Sequence, residues 1–531
     1  MTVPKPSFIL IENLKLYVIK EAVYMKTISK EEYRNKVYGC WLGKNIGGTL
    51  GAPFEACREV HDVEYYTHNF SEGVLPNDDL DLQLSWLCAA ERFGNSVNAK
   101  ILAEYWVSTI VPNWAEYGVG KNNLRFGLEP PVSGGFCNAF KDSNGSWIRS
   151  ELWACLMPGH PELAVRYALQ DAMIDHADEG IYAEVFTTAL ESAAFAVTDY
   201  EELIQIGLSY IPADCGIAKA VRLAIECYHD HLTWKEARIR LLTQIPGSFG
   251  GQLRLPNPDN LPQGPWGYDA PSNIGLTVLA WYYGEGDFSK SICIAAGCGE
   301  DGDCTTATLG SVMGIILGAS GIPEKWLKPI GDEIKTCSLN LQSSMLKVPK
   351  TVTELTNRTS CLMPSFMTGY FDLYSSGAEI VLNTDKELYD HPIRDWTIKP
   401  PFFTDEYPEN FQTFIGENAI MKLQVSVTEG IRIHEGETRQ LKLHAENISG
   451  FVGDPLWLKL KWFLPEGWSI DTGTNTALFL NQYHCGSGNA SAVAQITAGP
   501  ADGAITTVLL EVTAAGRPGR IYIPIQFVCE A

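Results

Sequence analysis

Every fourth residue is glycine in the stretch Gly39-Cys-Trp-Leu-Gly43-Lys-Asn-Ile-Gly47-Gly-Thr-Leu-Gly51. The same spacing recurs downstream at Gly310, Gly314 and Gly318. Residues four apart lie on one face of a helix, so each stripe predicts a helix face without side chains. Glycine costs about 1 kcal/mol at an interior helical position, and we expect a close approach of helix backbones to offset that cost. Such an approach would fix the positions of the side chains at the helix ends.

Acidic clusters lie at the predicted starts of two helices. The first is Asn77-Asp78-Asp79-Leu80-Asp81, and the second is Asp301-Gly302-Asp303-Cys304-Thr305, just before the second glycine stripe. One carboxylate suffices to cap a helix, and adjacent carboxylates repel unless a cation neutralises them. Oxygen ligands favour the hard cations Mg²⁺, Mn²⁺ and Ca²⁺. The clusters therefore predict a two-metal site if they meet in the fold, and capping or solvated charge is the alternative for either cluster alone.

Hydrophobic periodicity divides the 531 residues into two structural classes. Roughly the first 350 residues favour helices, whereas roughly the last 115 alternate apolar and polar residues as strands do. The sequence predicts an N-terminal extension at 1–26 and an all-helical domain at 27–350. A connector at 351–412 is expected to pack on the helical domain. An all-β immunoglobulin-like sandwich of about seven strands at 413–531 completes the predicted multidomain protein.

Charge and cysteine usage restrict the partners and the compartment. Lys and Arg total 40 against 63 Asp and Glu, a formal net charge of −23 that disfavours nucleic acid and anionic membrane surfaces. The 14 cysteines are scattered singly without CxxC spacing, which indicates reduced thiols and a cytoplasmic protein. The uncharged run from Cys304 to Pro323 is long enough to cross a bilayer, but its Thr, Ser and Gly content favours a buried helix.

Two long loops are rich in aromatic residues. They span residues 111–138 and 253–273 and include Trp114 and Trp266. Ordered loops of this length are commonly functional. We therefore predict that they line a pocket and that the two tryptophans stack on substrate. Simple coverage of the hydrophobic core is the alternative.

Several motifs, in order, resemble the ADP-ribosylglycohydrolase family. The segment 39–55 resembles the opening of that family, and Asn77-Asp78-Asp79 resembles its first metal motif, usually Thr-Asp-Asp. Asp301-Gly302-Asp303-Cys304 resembles the second metal motif, usually Asp-x-Asp-Thr. The stretch 144–149 and the pair Asp175-His176 resemble the middle motifs. The resemblance covers residues 32–335.

The resemblance implies an all-helical enzyme that binds two Mg²⁺ ions, with Mn²⁺ as an alternative, and hydrolyses an N- or O-glycosidic bond of ADP-ribose. The implied metal ligands are Asn77, Asp78, Asp79, Asp301 and Asp303, with Thr305 or Cys304 at the usual threonine position. Catalytic roles fall to Glu55, Asp79 and Asp301. Arg149 is expected to contact substrate, and His176 to contact substrate or to support the cleft. Trp114 and Trp266 from the aromatic loops complete the predicted substrate contacts. The expected partner is a small-molecule or ADP-ribosylated substrate, and a homo-oligomer is an open alternative.

Departures from the family pattern leave three functional hypotheses. Asn77 and Cys304 replace threonines, and Gly47-Gly48 replaces the usual Gly-Asp. The first hypothesis is a metal-dependent glycohydrolase acting on ADP-ribosyl or related ribosyl conjugates. The second is a glycoside hydrolase acting on a non-nucleotide furanoside, because residues 464–470 resemble β-sandwich modules of carbohydrate-active enzymes. The third is an inactive binding protein of the same fold, which the intact aspartates disfavour.

Overall fold

The computed structural model describes residues 26–249, 256–367, 379–390, 412–418, 420–448, 455–481, 488–501 and 505–529. Residues 1–25 of the predicted extension and residues 368–378 and 391–411 of the predicted connector lie outside these ranges. The chain divides into two compact units, one helical and one built of β-strands.

The described part of the helical unit contains sixteen α-helices and one short pair of strands. The helices are α1 (Lys30–Gly51), α2 (Asp78–Phe93), α3 (Ala99–Thr109), α4 (Ala115–Arg125), α5 (Val132–Gly135), α6 (Glu151–Leu156), α7 (Pro161–Ala172), α8 (Asp178–Ala193), α9 (Tyr200–Ser209), α10 (Gly216–His229), α11 (Trp234–Gln244), α12 (Ala270–Gly284), α13 (Phe288–Gly297), α14 (Gly302–Leu317), α15 (Glu324–Ile330) and α16 (Val352–Phe366). Strand β1 (Lys26–Ser29) pairs antiparallel with β2 (Glu379–Leu382).

Helices α1 and α14 are in backbone contact along both glycine stripes. A methyl group on Gly43 would lie 2.0 Å from the carbonyl oxygen of Gly310, and one on Gly39 would lie 2.2 Å from that of Gly314. The helices run antiparallel, and the predicted close approach is confirmed. Gly318 differs from the other stripe glycines, because it ends α14 with φ +66° rather than lying on its face.

This register brings the end of α1 to the start of α14. A methyl group on Gly51 would lie 2.1 Å from the carbonyl oxygen of Gly302. Just beyond α1, Cys57 forms an antiparallel bridge with Glu300. The glycine contact therefore places residues 52–57 beside the second acidic cluster.

The interior of the helical unit contains α14, as the uncharged run predicted. Its residues from Gly302 to Ile315 are buried. In the ranges that the structure describes, no helix combines the length and apolar character needed to cross a membrane.

Part of the predicted connector lies in the helical unit. Helix α16 packs on α1 and α6, and β2 forms the sheet with β1. The predicted boundaries at 350 and 412 stay predictions.

The β unit contains two five-stranded sheets, and the predicted all-β domain is confirmed. Its described strands are β3 (Gln412–Glu417), β4 (Met421–Val427), β5 (Arg432–Ile433), β6 (Thr438–Asn447), β7 (Leu456–Phe463), β8 (Ser469–Ile470), β9 (Asn475–Leu480), β10 (Asn489–Thr497), β11 (Ile505–Ala514) and β12 (Arg520–Cys529). Their order is β3-β4-β6-β10-β8 in one sheet and β5-β12-β11-β7-β9 in the other. All neighbours are antiparallel except β12 and β5.

Alternating burial gives each sheet an apolar inner face. Along β7 the residues alternate strictly between buried and exposed from Leu456 to Phe463. The described β unit has more strands than the seven predicted, partly because β5 and β8 are only two residues long. Strands that short carry no detectable alternation.

Candidate metal centre

Both acidic clusters lie at helix N-termini. Asn77 caps α2, and its Oδ1 accepts a hydrogen bond from the backbone N–H of Leu80 at 3.4 Å. Its Nδ2 is buried without a hydrogen-bond partner in the described residues and faces Gly48, where a methyl group would lie 2.0 Å from it. The amide thus fills the space left by the glycine that replaces the family's usual aspartate. The role of Asn77 as a metal ligand stays a prediction.

The two clusters meet although more than two hundred residues separate them. Ligand atoms of Asp79, Asp303 and Cys304 all lie within 4.8 Å of one another. All three side chains are buried, and Cys304 Sγ donates to Asp79 Oδ1 at 3.5 Å. Asp79 Oδ2 has no hydrogen-bond partner among the residues described. Burying a carboxylate oxygen without a hydrogen bond is unfavourable unless a cation binds it.

Crowding raises the pKa values of these carboxyl groups. Burial, followed by the charge of Asp303, raises the pKa of Asp78 to about 6. Burial and Asp303 also raise the pKa of Asp301 well above its ordinary value. For Asp79, burial raises the pKa further than Lys44 lowers it, and Asp303 adds to the rise. A divalent cation would remove this penalty, so the donor set fits a metal centre.

Lys44 lies next to Asp79, and the sequence analysis did not predict it as a site residue. Its Nζ is 3.7 Å from Asp79 Oδ2 and 2.8 Å from Glu151 Oε1, and the side chain is fully buried. Burial lowers the pKa of Lys44, but Glu151 and Asp79 together raise it above its ordinary value. The signal in the sequence for this role was a lysine inside a glycine-rich apolar helix. Lys44 supplies a fixed positive charge to the centre.

Asparagine side chains hold Asp301 in place. Asn144 Nδ2 donates to Asp301 Oδ2 at 2.6 Å, and Trp147 Nε1 donates to Asn144 Oδ1 at 3.1 Å. The backbone N–H of Asp301 donates to Asn273 Oδ1 at 3.2 Å. The family resemblance marked Asn144 as part of a motif, but its role became evident only from this geometry.

Replacing Asn144 with alanine is expected to weaken divalent-cation binding roughly 10- to 100-fold, the usual cost of losing an outer-shell partner. Asp301 would lose the hydrogen bond that orients its carboxylate. Isothermal titration with Mg²⁺ and Mn²⁺ measures the effect. The matched control is Asn357→Ala, which removes an exposed asparagine bonded to Arg34. Equal affinities in both variants would contradict this role for Asn144.

Arg149 and His176 are fully buried in one polar network. Arg149 Nε lies 2.7 Å from Asp171 and its Nη2 lies 2.7 Å from Asp175. His176 Nδ1 lies 2.9 Å from Asp175. Arg149 Nη1 also donates to the carbonyl oxygen of Gly145 at 3.0 Å, next to Asn144. These contacts position the segment that holds Asp301, and the predicted substrate contacts of Arg149 and His176 stay predictions.

The exposed tryptophans occupy different surroundings. Tyr117 donates to Asp78 Oδ2 at 3.5 Å, and the ring of Trp114 lies 6.0 Å from that of Tyr117. Trp266 stacks on Phe140, with 5.7 Å between ring centroids. Trp114 therefore contacts Tyr117, which in turn is bonded to a carboxylate of the centre. The substrate-binding role of both tryptophans stays a prediction.

Glu55 and Thr305 follow the two glycines that are in contact, Gly51 and Gly302 respectively. Glu55 follows the short turn Ala52–Phe54, is half-buried, and acts electrostatically on Asp301. Thr305 is fully buried, and its hydroxyl donates to the carbonyl oxygen of Gly302 at 3.2 Å within its own helix. Cys304 belongs to the group of ligand atoms that lie within 4.8 Å of one another. Thr305 as a metal ligand stays a prediction.

The helical unit thus has buried carboxylates at the starts of two helices that meet in the fold. The model of a glycosylase family, a class of hydrolases that is generally metal-dependent, matches residues 29–355. The chain belongs to that family, the ADP-ribosylglycohydrolases. A solved structure named "ADP-ribosylglycohydrolase-related protein complex" is 18% identical with a TM-score of 0.38, and the alignment covers 63% of this chain and 98% of that chain. No curated protein matches the chain.

Proposed function

We propose that this protein is a Mg²⁺-dependent glycohydrolase that cleaves an N- or O-glycosidic bond of an ADP-ribosyl or related ribosyl conjugate. The observation that carries the proposal is the convergence of Asp79 and Asp303 in a chain of this family. Asp78, Asp79, Asp301 and Asp303 would hold two ions, with Mn²⁺ as the alternative metal. Bound there, divalent cations supply Lewis acidity and a template for the vicinal hydroxyls of a ribose.

The remaining residues of the centre orient and balance these carboxylates. Tyr117 and Asn144 donate to Asp78 and Asp301 respectively. Lys44 offsets part of the negative charge around Asp79. Such fixed donors keep the carboxylates in place before substrate arrives, which is the contribution expected of a preorganised site.

Glu55 is proposed as the proton carrier, because its carboxyl group is close enough to Asp301 to act on it electrostatically. As a general base or acid it would take a proton from the attacking water or give one to the leaving group. Trp114 and Trp266 are proposed to stack on the substrate. We also propose a cytoplasmic location, supported by the free state of the cysteines within the described residues.

A hydrolysis screen tests the proposed activity. The full-length protein is incubated with ADP-ribosyl substrates and with aryl furanosides, each with Mg²⁺ and with EDTA. We expect Mg²⁺-dependent release of free ADP-ribose or of the leaving group from ADP-ribosyl compounds. Turnover of aryl furanosides alone would favour the furanoside hydrolase, and no metal-dependent turnover of either class would refute the proposal.

Replacing Glu55 with glutamine is expected to lower kcat about 10²- to 10⁴-fold, the range that general acid–base catalysis contributes. Glutamine keeps the shape of the side chain but neither gives nor takes the proton, so Mg²⁺ affinity should change little. Steady-state kinetics and calorimetry measure the two quantities. The control Glu64→Gln removes an exposed carboxylate nearby in sequence. A Glu55→Gln variant with wild-type kcat would remove Glu55 from the chemistry.

A further inference from the structure

The ligand cluster at the start of α14 contains a sulfur atom. Among the described residues, Asp79, Asp303 and Cys304 form the one group of three potential metal ligands within mutual reach. Cys304 is buried in the first turn of the helix, and the adjacent glycine contact with α1 fixes that turn. At the position where the family usually has threonine, this chain thus presents a thiol to two carboxylates.

A second observation at the same place points to a bound cation. Asp79 is 1% exposed, and its Oδ2 has no hydrogen-bond partner in the part of the chain that the structure describes. Its other oxygen accepts the thiol proton of Cys304. Lys44 is 3.7 Å from Oδ2, beyond hydrogen-bond distance, and is bonded to Glu151 instead. A cation beside Cys304 would give that oxygen a closer partner than the Lys44 ammonium group.

The neighbouring hydroxyl is engaged within its own helix. Thr305 Oγ1 is bonded to the carbonyl oxygen of Gly302 in its own helix. The group of potential ligands within mutual reach at this position is two carboxylates and one sulfur. Thiolate ligands select borderline-soft cations such as Zn²⁺, whereas carboxylates alone suit Mg²⁺ and Mn²⁺.

We propose that Cys304 is a metal ligand and that its position, shared with Asp79 and Asp303, takes a borderline-soft divalent cation such as Zn²⁺ or Co²⁺ in preference to Mg²⁺. On binding, the S–H bond breaks, the proton passes to solvent, and the sulfur coordinates the cation as thiolate. The inference rests on the proposed metal centre and specifies the cation at one of its two positions.

Cobalt absorption tests the proposal without any enzymatic readout. Co²⁺ is added to the full-length protein, and we expect a near-ultraviolet thiolate-to-cobalt charge-transfer band. In Cys304→Thr the band should be absent, and the ratio of Co²⁺ to Mg²⁺ affinity measured by calorimetry should fall at least about 10-fold. The control Cys293→Ser alters a half-buried thiol on α13 and should keep the band. Cys304→Ser is the second variant, used if circular dichroism shows that the threonine variant is unfolded.

The outcomes separate this proposal from the proposed function. A wild-type protein that binds Co²⁺ or Mg²⁺ but shows no charge-transfer band overturns the role of Cys304 and leaves the carboxylate centre intact. A band that persists in both Cys304 variants has the same consequence. A wild-type protein that binds neither cation overturns both proposals together.

Discussion

Replacing Gly43 with alanine is expected to destabilise the helical unit by up to about 2 kcal/mol. The added methyl group would lie 2.0 Å from the carbonyl oxygen and 2.4 Å from the carbonyl carbon of Gly310. Both atoms belong to the backbone of α14, so no side chain can turn aside to make room. Overpacking of this kind costs about 1–3 kcal/mol or more, which outweighs the roughly 1 kcal/mol that alanine gains over glycine in a helix.

Thermal and chemical denaturation measure the loss of stability, and Mg²⁺ titration measures its effect on the centre. Because the contact also sets the register of Gly51 against Gly302, cation affinity should fall together with stability. Gly135→Ala is the matched control, since a methyl group there would meet Ala177 Cβ at 3.4 Å, an ordinary contact. A Gly43→Ala protein as stable as this control would show that α1 and α14 move apart at little cost.

The sequence was most informative at two patterns that are unfavourable when considered locally. Glycine every fourth residue is costly in a helix, and a second stripe of the same spacing indicated the partner. Clustered carboxylates at helix starts are costly for a different reason. In both cases, the free-energy cost of the pattern indicated a compensating contact with a distant part of the chain. The Gly43–Gly310 contact supplies it for the glycine stripes. The approach of Asp79 to Asp303 brings the two acidic clusters together and adds to their repulsion, which a cation would remove.

The sequence was least informative for buried polar residues whose partners are distant along the chain. Lys44 is bonded to Glu151 and Arg149 to Asp175, and neither pairing leaves a periodic signal. A buried arginine and a substrate-binding arginine also look the same in a sequence. Asn144 illustrates the same limit, because its contact with Asp301 spans 157 positions. Only the fold distinguishes residues that support the centre from residues that form it.

Replacing Asp79 with asparagine is expected to abolish stabilisation by Mg²⁺ while leaving the metal-free protein at least as stable as the wild type. Burial disfavours the charged form of Asp79, so a neutral isostere relieves an electrostatic cost. Lys44 keeps its 2.8 Å partner Glu151. The wild type should gain about 2.7 kcal/mol when the free cation is at 100 times its Kd. In the variant, metal affinity should fall by at least about 100-fold.

Catalytic activity of the Asp79→Asn variant should fall together with its metal affinity. Loss of several kcal/mol of charge stabilisation, taken as about 4 kcal/mol, corresponds to roughly a 10³-fold decrease in kcat/KM. Asp62→Asn is the matched control, because it removes one exposed carboxylate paired with Lys235 on the surface. Melting curves with and without Mg²⁺ separate the two effects: if Asp79→Asn keeps the Mg²⁺-dependent rise in melting temperature, Asp79 is a structural carboxylate and the cation lies elsewhere. If the variant is instead unstable without metal, the Asp79–Lys44 ion pair contributes more to the fold than its 3.7 Å separation implies.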